Sequence, residues 1–478
     1  MKTLKRLAKS SVLAATLASP AIVGCAVQGP DDFESFESVS QGLSGAPVVA
    51  SSMDLGAMPF PATSVSRGRD DGYSIKIGSN SVFLFADAIT GALPTGVSVS
   101  GCAETSLNGS SFRPGMRTSH AQGYPLNFLA NASSVPLPSL FELDAAKTIK
   151  ESIPLSAPDV CFNQKGIMSS YNGVRWANWT VGAMSDSAGN AFVAYRRILV
   201  DLGKVANSAG IGMNPVAVFA DKLAPVGTGS VHTVGAPTCM FLDTAAAQPL
   251  SSYSGDAKQI TSCMFAQADN TTRPALYRPQ PAVNPSFPSL VYFTGYVKNS
   301  AGSGVKMFVA RADKKDLFKA EGYSFWTGLS TGWMAGDTGY AAAAPVKDGD
   351  NNDVILNSYQ GTISYNAYLG KYTMTDNTAP VSAGNGMFKS DAVIRTSGAI
   401  MGGWGAGTIV PLRDTAVANG AGNYHVIDHP ELAESVSGSA AGKTIYISYA
   451  NDSDAVTTSA NDTAATALNV RIVRVTFQ

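Results

Sequence analysis

The sequence predicts an all-β protein with the architecture of a single β-propeller. Only 14% of its 478 residues are charged, whereas 45% are hydrophobic and 47 are glycine. A chain that is sparing of charge but rich in glycine, small hydroxyl residues and aromatics is typical of exported β-proteins, which need turns more than helical surface. Short alternating or continuous apolar runs recur along the chain with turn signals between them, which is the pattern of strands.

Ten of these runs pair into five predicted hairpins. They join Tyr73–Ile77 with Ser81–Ala86, Val181–Ser185 with Ala191–Arg197, Leu290–Tyr296 with Val305–Arg311, Thr362–Tyr365 with Lys371–Thr375, and Lys443–Ala450 with Leu468–Phe477. Unevenly spaced strand pairs suit a propeller, in which radial repetition protects the sheet edges. No strict period of about 40–50 residues is visible, which disfavours tandem-repeat propellers. A pair of large β-sandwiches and a β-helix are the alternative architectures.

Helix is predicted only as one or two turns at Lys314–Ala320 and at Pro430–Val436. Residues 112–180 are expected to form long excursions rather than a separate domain. The sequence therefore predicts one propeller domain over residues 49–478.

The first 24 residues are expected to be a targeting segment. Basic residues lie among the first nine, and the apolar run Ser11–Val23 is too short to span a bilayer and is broken by Pro20. The run ends at Gly24-Cys25, which resembles the bacterial lipoprotein signal, in which a peptidase cuts before the cysteine and its thiol is acylated. An ordinary secretory signal that is cut elsewhere is the alternative.

The lipoprotein resemblance implies a lipid anchor at Cys25 and a membrane as partner. Residues 25–48 are polar and non-periodic, so we expect a flexible tether between the lipid and the fold. Ala26, in place of Asp, favours the outer membrane over retention at the inner membrane. The expected location is therefore the bacterial cell envelope.

Four further cysteines predict two disulfides in an exported chain. Three connectivities are possible for Cys102, Cys161, Cys239 and Cys263, of which pairing of sequence neighbours is the simplest. None of the spacings is C-x-x-C, which argues against a metal site.

The charge balance and the motifs exclude several classes of function. Lys and Arg number 34 against 35 Asp and Glu, which argues against nucleic acid as a partner. The chain has no Gly-x-Ser-x-Gly elbow, His-Glu-x-x-His helix, phosphate-binding loop or dinucleotide fingerprint. We therefore expect a monomer that needs no cofactor, with a structural cation at the propeller axis as the one option to consider.

The first hairpin gathers carboxylates at one edge of its sheet. Asp70 and Asp71 enter its first strand and Asp87 leaves the second, and antiparallel pairing brings those ends together. Grouped carboxylates are what cleavage of a glycosidic bond requires. The alternatives are that these aspartates cap turns, and that Asp87 forms a clasp with Arg67 or Arg69.

Three segments carry a resemblance to a known family. They are Arg69–Ser74 with Phe83–Asp87, Ser364–Tyr372, and His429–Leu432 with Thr444–Tyr449. The first resembles the first-blade signature of five-bladed propellers related to glycoside hydrolases. Together the segments more closely resemble the bacterial propeller family that includes endo-D-arabinanases. The resemblance implies five blades and hydrolysis of a furanose-containing polysaccharide.

The resemblance also implies roles for particular acids. Asp71 and Asp87 are the expected carboxyl pair, with Asp70 in reserve and Glu431 as a third acid. Two departures from the family pattern matter: Asp71 stands where Gly or Asp is usual, and Ala86-Asp87-Ala88 replaces Gly-Asp-Thr.

Other residues are expected to bind the substrate, a polysaccharide or another cell-envelope glycan. The candidates are Arg69, Tyr73, Tyr365, Asn366, Trp404 and His429. Asn offers a donor and an acceptor to vicinal hydroxyls, and Trp offers a stacking surface. His425 or His429 could instead coordinate a cation at the axis. The competing hypotheses are a non-catalytic glycan-binding lipoprotein and a purely structural surface protein on the same scaffold.

Overall fold

A computed structural model of the chain contains mostly strands. It describes residues 45–61, 66–90, 116–117, 120–143, 150–155, 174–185, 191–201, 212–226, 230–244, 263–267, 271–283, 287–358, 361–384, 387–414, 423–433, 442–451 and 469–478. Cys25, Cys102, Cys161 and the predicted signal segment lie outside these residues. Within the described residues, no helix is long and apolar enough to cross a membrane.

The strands fall into five main sheets that succeed one another along the chain. Strand β1 (Val49–Ala57) comes first and belongs to the last sheet. The first sheet contains β2 (Ser66–Ile77), β3 (Asn80–Thr90), β4 (Met116–Arg117) and β5 (His120–Pro125). The second contains β6 (Val174–Ser185), β7 (Ala191–Asp201), β8 (Gly212–Val226), β9 (Ser230–Asp243) and β10 (Phe265–Gln267).

The third sheet carries most of the described helix. It contains β11 (Tyr277–Gln280), β12 (Leu290–Lys298), β13 (Val305–Asp313), β14 (Tyr323–Trp326) and β15 (Trp333–Ala335), followed by β16 (Lys347–Asp348), which pairs elsewhere, and β17 (Ile355–Leu356), which pairs with β13. Two 3-10 turns at Lys314–Asp316 and Ala320–Gly322 lie between β13 and β14. Helix α1 (Gly336–Ala342) follows β15.

The last two sheets complete the ring. The fourth contains β18 (Thr362–Asn366), β19 (Lys371–Asn377), β22 (Ala392–Ser397) and β24 (Thr408–Val410), with β20 (Val381–Gly384) and β21 (Met387–Lys389) as a side hairpin and β23 (Gly402–Trp404) paired with β16. The fifth contains β25 (Tyr424–Asp428), β26 (Thr444–Asn451), β27 (Asn469–Phe477) and β1, with helix α2 (Pro430–Ala433) after β25.

The five sheets are the blades of a five-bladed β-propeller. One strand of each blade contacts its counterparts in the two neighbouring blades. The contacts run from β2 to β6, β11, β18 and β25, and β25 in turn contacts β2. These five strands, β2, β6, β11, β18 and β25, therefore line the axis and are called the inner strands. The predicted all-β propeller is confirmed.

Pairing between the two ends of the described fold closes the ring. Strand β1 runs antiparallel to β27, from Val49 opposite Phe477 to Ala57 opposite Arg471. The Arg471 guanidinium donates to Asp54 Oδ2 from Nε at 3.1 Å and from Nη2 at 2.8 Å. The fifth blade thus combines the first and the last described strands, and their pairing closes the ring.

All five predicted hairpins are confirmed as paired strands. Of the two short predicted helical segments, Lys314–Ala320 contains 3-10 turns, and the described part of Pro430–Val436 forms α2. Helix α1 was not predicted, because its Gly-Asp-Thr-Gly start is not a helix-forming sequence and packing against β14 and β15 holds it.

One of the two disulfides is present in the described residues. Cys239 in β9 bonds to Cys263, which lies just before β10. This confirms one pair of the simplest predicted connectivity.

Candidate active site at the propeller axis

The inner strands give the axis two distinct ends. We call the end near Asp70, Asp71 and His425 the start face, because inner strands begin there. We call the end near Lys76, Ser185 and Asp428 the end face, because β2, β6 and β25 finish there. Like ends lie together, since the Ser185 hydroxyl donates to the Lys76 carbonyl oxygen across the first two blades.

Two acids and a histidine meet at the start face. His425 Nδ1 lies 3.0 Å from Asp70 Oδ1 and is also hydrogen-bonded to Asp71 Oδ1. The side chains of Asp71 and His425 are only 6% and 7% exposed, whereas that of Asp70 is 18% exposed. Asp70 therefore forms the part of this cluster that is most open to solvent.

The backbone at this cluster is strained in both blades. Asp71 has φ 63° and His425 has φ 54°, the left-handed region that residues with a Cβ seldom adopt. Both lie at irregularities of strand pairing: β2–β3 is bulged on each side of Asp71, and β25–β26 shifts register between Tyr424 and Ile427. Strained non-glycine residues cluster at functional sites, and here the two strained residues contact each other.

Burial and the neighbouring charges set the protonation of this pair. Burial raises the pKa of Asp71 to about 6, with His425 lowering it and Asp70 raising it. Burial lowers the pKa of His425, but Asp71 and Asp70 outweigh it and raise the value to about 9. At neutral pH the pair is therefore a carboxylate beside an imidazolium, and Asp71 is poised to accept a proton.

Two arginines from other blades extend the cluster across the axis. Arg278 of β11 donates from Nη1 to the Tyr73 hydroxyl at 2.8 Å and from Nη2 to the Gly361 carbonyl oxygen at 3.1 Å. It thereby bridges the first, third and fourth blades. Arg196 of β7 is close enough for Asp71 and Tyr73 to influence its pKa, which burial lowers. The start face thus combines carboxylates with cationic and hydroxyl donors.

The same three side chains offer ligands to a cation. One atom each from Asp70, Asp71 and His425 lies within 4.8 Å of the others. Three donors are fewer than the four of a tetrahedral site or the six to eight of calcium, so waters would have to complete any coordination shell. The His425 proton would also have to leave first.

The backbone of Asp87 lies where the sequence predicts. In β3, Phe85 pairs with Asp71 and Ala88 pairs with Arg69, so the chain at Asp87 runs beside Asp70 and Asp71. The side chains of Asp87 and Arg67 lie outside the described residues.

Glu431 and His429 lie away from the start face. Ser74 and Ser81 donate to Glu431 Oε1 at 2.5 and 2.6 Å. His429 Nδ1 lies 2.5 Å from Ser74 Oγ, and burial lowers the pKa of this histidine to about 3, so it is neutral. Both residues therefore belong to the buried joint between the first and fifth blades.

The remaining predicted binding residues are divided between joints and core. Tyr365 and Asn366 lie at the end face, where the Asn366 amide donates to the Gly442 carbonyl oxygen and accepts from the Leu369 amide.

Arg69 is buried and donates to Gln122 Oε1 and the Met58 carbonyl oxygen, both at 2.7 Å. Trp404 is buried with its indole N–H donating to the Ile400 carbonyl oxygen.

Sequence reasoning missed Arg196 and Arg278. Each arginine lies in a blade without a recognisable motif, and only closure of the ring brings it to the first blade. The one available signal was an arginine within an otherwise apolar strand, as in Tyr195-Arg196-Arg197-Ile198, because buried charge needs a partner.

Comparison with known proteins finds structural likeness only. No protein family and no curated protein matches the chain by sequence. A GH62 hydrolase in complex with xylotriose is 11% identical with a TM-score of 0.39, covering 92% of this chain and 100% of that one. A GH43 β-xylosidase/α-arabinofuranosidase from a compost microbial metagenome is 10% identical with a TM-score of 0.38, covering 88% and 94%.

An α-L-arabinofuranosidase from Podospora anserina, in complex with cellotriose, is 9% identical with a TM-score of 0.37 and covers 90% of this chain and 98% of that one. The structural neighbours thus include GH43 and GH62 glycoside hydrolases. The five-bladed ring itself follows from this chain's own strand pairing.

Proposed function

We propose that the chain is a glycoside hydrolase that cleaves a furanose-containing, arabinan-like polysaccharide at the start face. The observation that carries this proposal is the contact between Asp71 and His425, two strained residues from different blades. A carboxylate held at the axis beside a cation, with its pKa raised to about 6, suits proton transfer near neutral pH.

The catalytic roles follow from these positions. Asp71 acts as the carboxylate that attacks the sugar or activates water, and Asp87 is its partner acid, as the backbone pairing of β2 with β3 allows. Asp70 holds His425, and His425 keeps Asp71 ionised.

Arg196 and the Arg278–Tyr73 pair supply donors for sugar hydroxyls. Glu431, at the joint between blades, takes no part at the start face.

The chain reaches its glycan from the cell envelope in this proposal. Lipidation at Cys25 anchors the protein to the outer membrane, and residues 25–48 tether the propeller at a distance from it. The lipoprotein-like signal supports this location.

The test is release of oligosaccharides from a panel of arabinans, galactans and other bacterial glycans by the purified protein. Asp71→Asn and Asp87→Asn are each expected to lower the rate by about 10²- to 10⁴-fold, because each removes one carboxyl of the pair. Asp316→Asn, at a partly exposed aspartate on a 3-10 turn, is the matched control and should leave the rate unchanged. Release that persists in the Asp71→Asn variant would remove the assignment.

A non-catalytic glycan-binding protein is the second candidate. The observation that favours it is the burial of Asp71 against His425, because a fully clasped acid holds blades together rather than reacting. Binding of a glycan with no release by any preparation would decide for this alternative. The polar residues at the axis, Tyr73, Arg278 and His425 among them, disfavour a purely structural propeller with an apolar plug.

A further inference from the structure

A cavity of about 490 Å³ opens at the end face, at the opposite end of the axis from Asp71. Residues from all five blades line it, most of them at the C-terminal ends of the inner strands or in the segments that follow them. Its volume lies within the range of ligand pockets, about 300–1,000 Å³. Because every blade contributes, the ring itself fixes the shape of this cavity.

The floor of the cavity carries two carboxyl groups that are held by hydroxyls. Ser364 donates to Asp428 Oδ2, and Ser74 donates to Glu431 Oε1. Asp428 is only 3% exposed, yet within the described part of the chain its Oδ1 has no hydrogen-bond partner. A buried carboxyl oxygen without a partner is costly, and since Asp428 lines the cavity, a turn of its side chain would bring this oxygen within reach of a ligand there.

The chemistry of Asp428 favours a hydroxyl as that ligand. Burial, with a contribution from Glu431, raises the pKa of Asp428 to about 7, so both protonation states are populated near neutral pH. A hydroxyl can donate a hydrogen bond to the ionised carboxylate and accept one from the protonated carboxyl. A cation suits only the ionised form, and an anion suits only the protonated form. Lys76 and Lys314 balance the acids across the cavity, so its lining has no strong net charge.

The walls of the cavity provide apolar surface. Tyr365 lines it and packs edge-on against Tyr372, with ring centroids 5.4 Å apart, while Ala282 and Ile445 line it from other blades. A sugar has the matching pair of surfaces, hydroxyls at its edge and C–H groups on its face.

We propose that this cavity is a second glycan site, which binds one or two neutral sugar units through hydroxyl contacts with Asp428 and packing on Tyr365. The site is separate from the Asp71 cluster and does not require that cluster to be catalytic. It would hold a neutral glycan chain end while the start face acts on, or binds, another part of the glycan.

The test uses full-chain protein carrying Asp71→Asn, so that hydrolysis does not consume the probe. Neutral tri-saccharides, with xylotriose and arabinotriose as the probes, are titrated by calorimetry. Hydrogen–deuterium exchange then locates the bound sugar. We expect slower exchange at residues 280–283 and 364–367, which flank the cavity, whether or not the start face also responds.

Two further substitutions in that background probe the cavity, and a third serves as their control. Val283→Trp places an indole at its rim, where Val283 is 39% exposed, and should weaken binding at least about tenfold. Val381→Trp is the matched control, since Val381 is 57% exposed on the β20–β21 hairpin and does not line the cavity. Asp428→Leu removes both carboxyl oxygens and should also abolish the protection, and its melting temperature shows whether it folds.

Three results would overturn the proposal. They are protection confined to residues 70–73 and 423–426, equal binding by the Val283→Trp and Val381→Trp variants, and binding only of sugars that carry a carboxylate or phosphate. The Asp71→Asn background separates the two proposals. A hydrolase that lacks the second site would bind the probes equally well with and without Val283→Trp. A non-catalytic protein that has the second site would bind them more weakly with Val283→Trp.

Discussion

The two ends of the propeller axis are built by the same five inner strands, yet they handle buried acid in different ways. At the start face, Asp71 lies against His425, and both residues adopt left-handed backbone at irregular strand pairing. At the end face, Asp428 lies on regular strand and receives its hydrogen bonds from neutral groups, the Ser364 hydroxyl and the His429 backbone amide. Both carboxyls have a raised pKa because both are buried.

This difference shows what the strained backbone contributes to the start face. The cationic partner holds the pKa of Asp71 at about 6, while Asp428, with no such partner, reaches about 7. A bulge turns Asp71 and His425 towards each other, which a regular strand would not do. The start face therefore holds an ionised carboxylate beside a cation, and the end face holds a carboxyl whose protonation changes near neutral pH.

Among the substitutions that distinguish the two faces, His425→Gln is expected to change the protein most, through the pH dependence of glycan release. His425→Gln removes the positive charge that lowers the pKa of Asp71, so that pKa should rise above about 6. The wild type should be active between about pH 6, where Asp71 ionises, and about pH 9, where His425 loses its proton. In the variant the acidic limb should move up by at least about one pH unit, with a rate loss of about tenfold at pH 6.

The measurement is kcat/KM against pH for glycan release. His232→Gln is the control, because His232 also contacts an acid, Glu142 at 2.8 Å, but lies in the second blade away from the axis. An unchanged acidic limb in His425→Gln would show that Asp71 is not the group that titrates in catalysis.

Substitution of Asp428 should have an intermediate effect, on stability. A carboxyl whose folded pKa is about 7 instead of 3.8 stabilises the fold fully below about pH 3.8, and that contribution is lost as pH rises through 7. Asp428→Asn cannot ionise, so it should be more stable than wild type by about 4 kcal/mol at pH 8 and no more stable at pH 4. Urea unfolding at both values measures the difference.

Asp353→Asn provides a control of opposite sign. Although burial raises the pKa of Asp353, hydrogen bonds and charge from Lys306 and Lys347 outweigh it and lower the pKa. That variant should be less stable than wild type at pH 7, and the difference should shrink as the pH falls below the ordinary carboxyl pKa. A flat difference for Asp428→Asn across pH 4–8 would mean that Asp428 is ionised throughout.

Local pattern was enough to predict much of the fold. The five hairpins are local, with alternation and turn residues written in contiguous sequence, and Gly78-Ser79 connects β2 to β3 as expected. The number of blades came from a family resemblance rather than from any period in the sequence. Helix α1 depends on packing by β14 and β15, which local propensity does not report.

The candidate site was predictable only in part, because it is assembled by ring closure. Asp70 and Asp71 are adjacent in sequence and could be singled out, whereas their contact with His425 spans 355 residues. Arg278 reaches Tyr73 across 205 residues. Such long-range contacts leave no local signature. Glu431 and Asp71 lie on neighbouring blades but at different heights along the axis, so they do not meet. This separation, too, has no local signature in the sequence.

The smallest expected effect concerns Trp404, which lies at neither end of the axis. Its ring is buried among apolar residues that include Ile400, and its indole N–H donates to the Ile400 carbonyl oxygen at 3.3 Å. Trp404→Phe should therefore cost about 1 kcal/mol of stability through the lost hydrogen bond and volume. It should leave KM for glycan release and calorimetric binding of xylotriose unchanged. A KM rise of more than about threefold, with an unchanged melting temperature, would mean that Trp404 contacts the glycan. The binding site would then extend from the Asp71 cluster to Trp404.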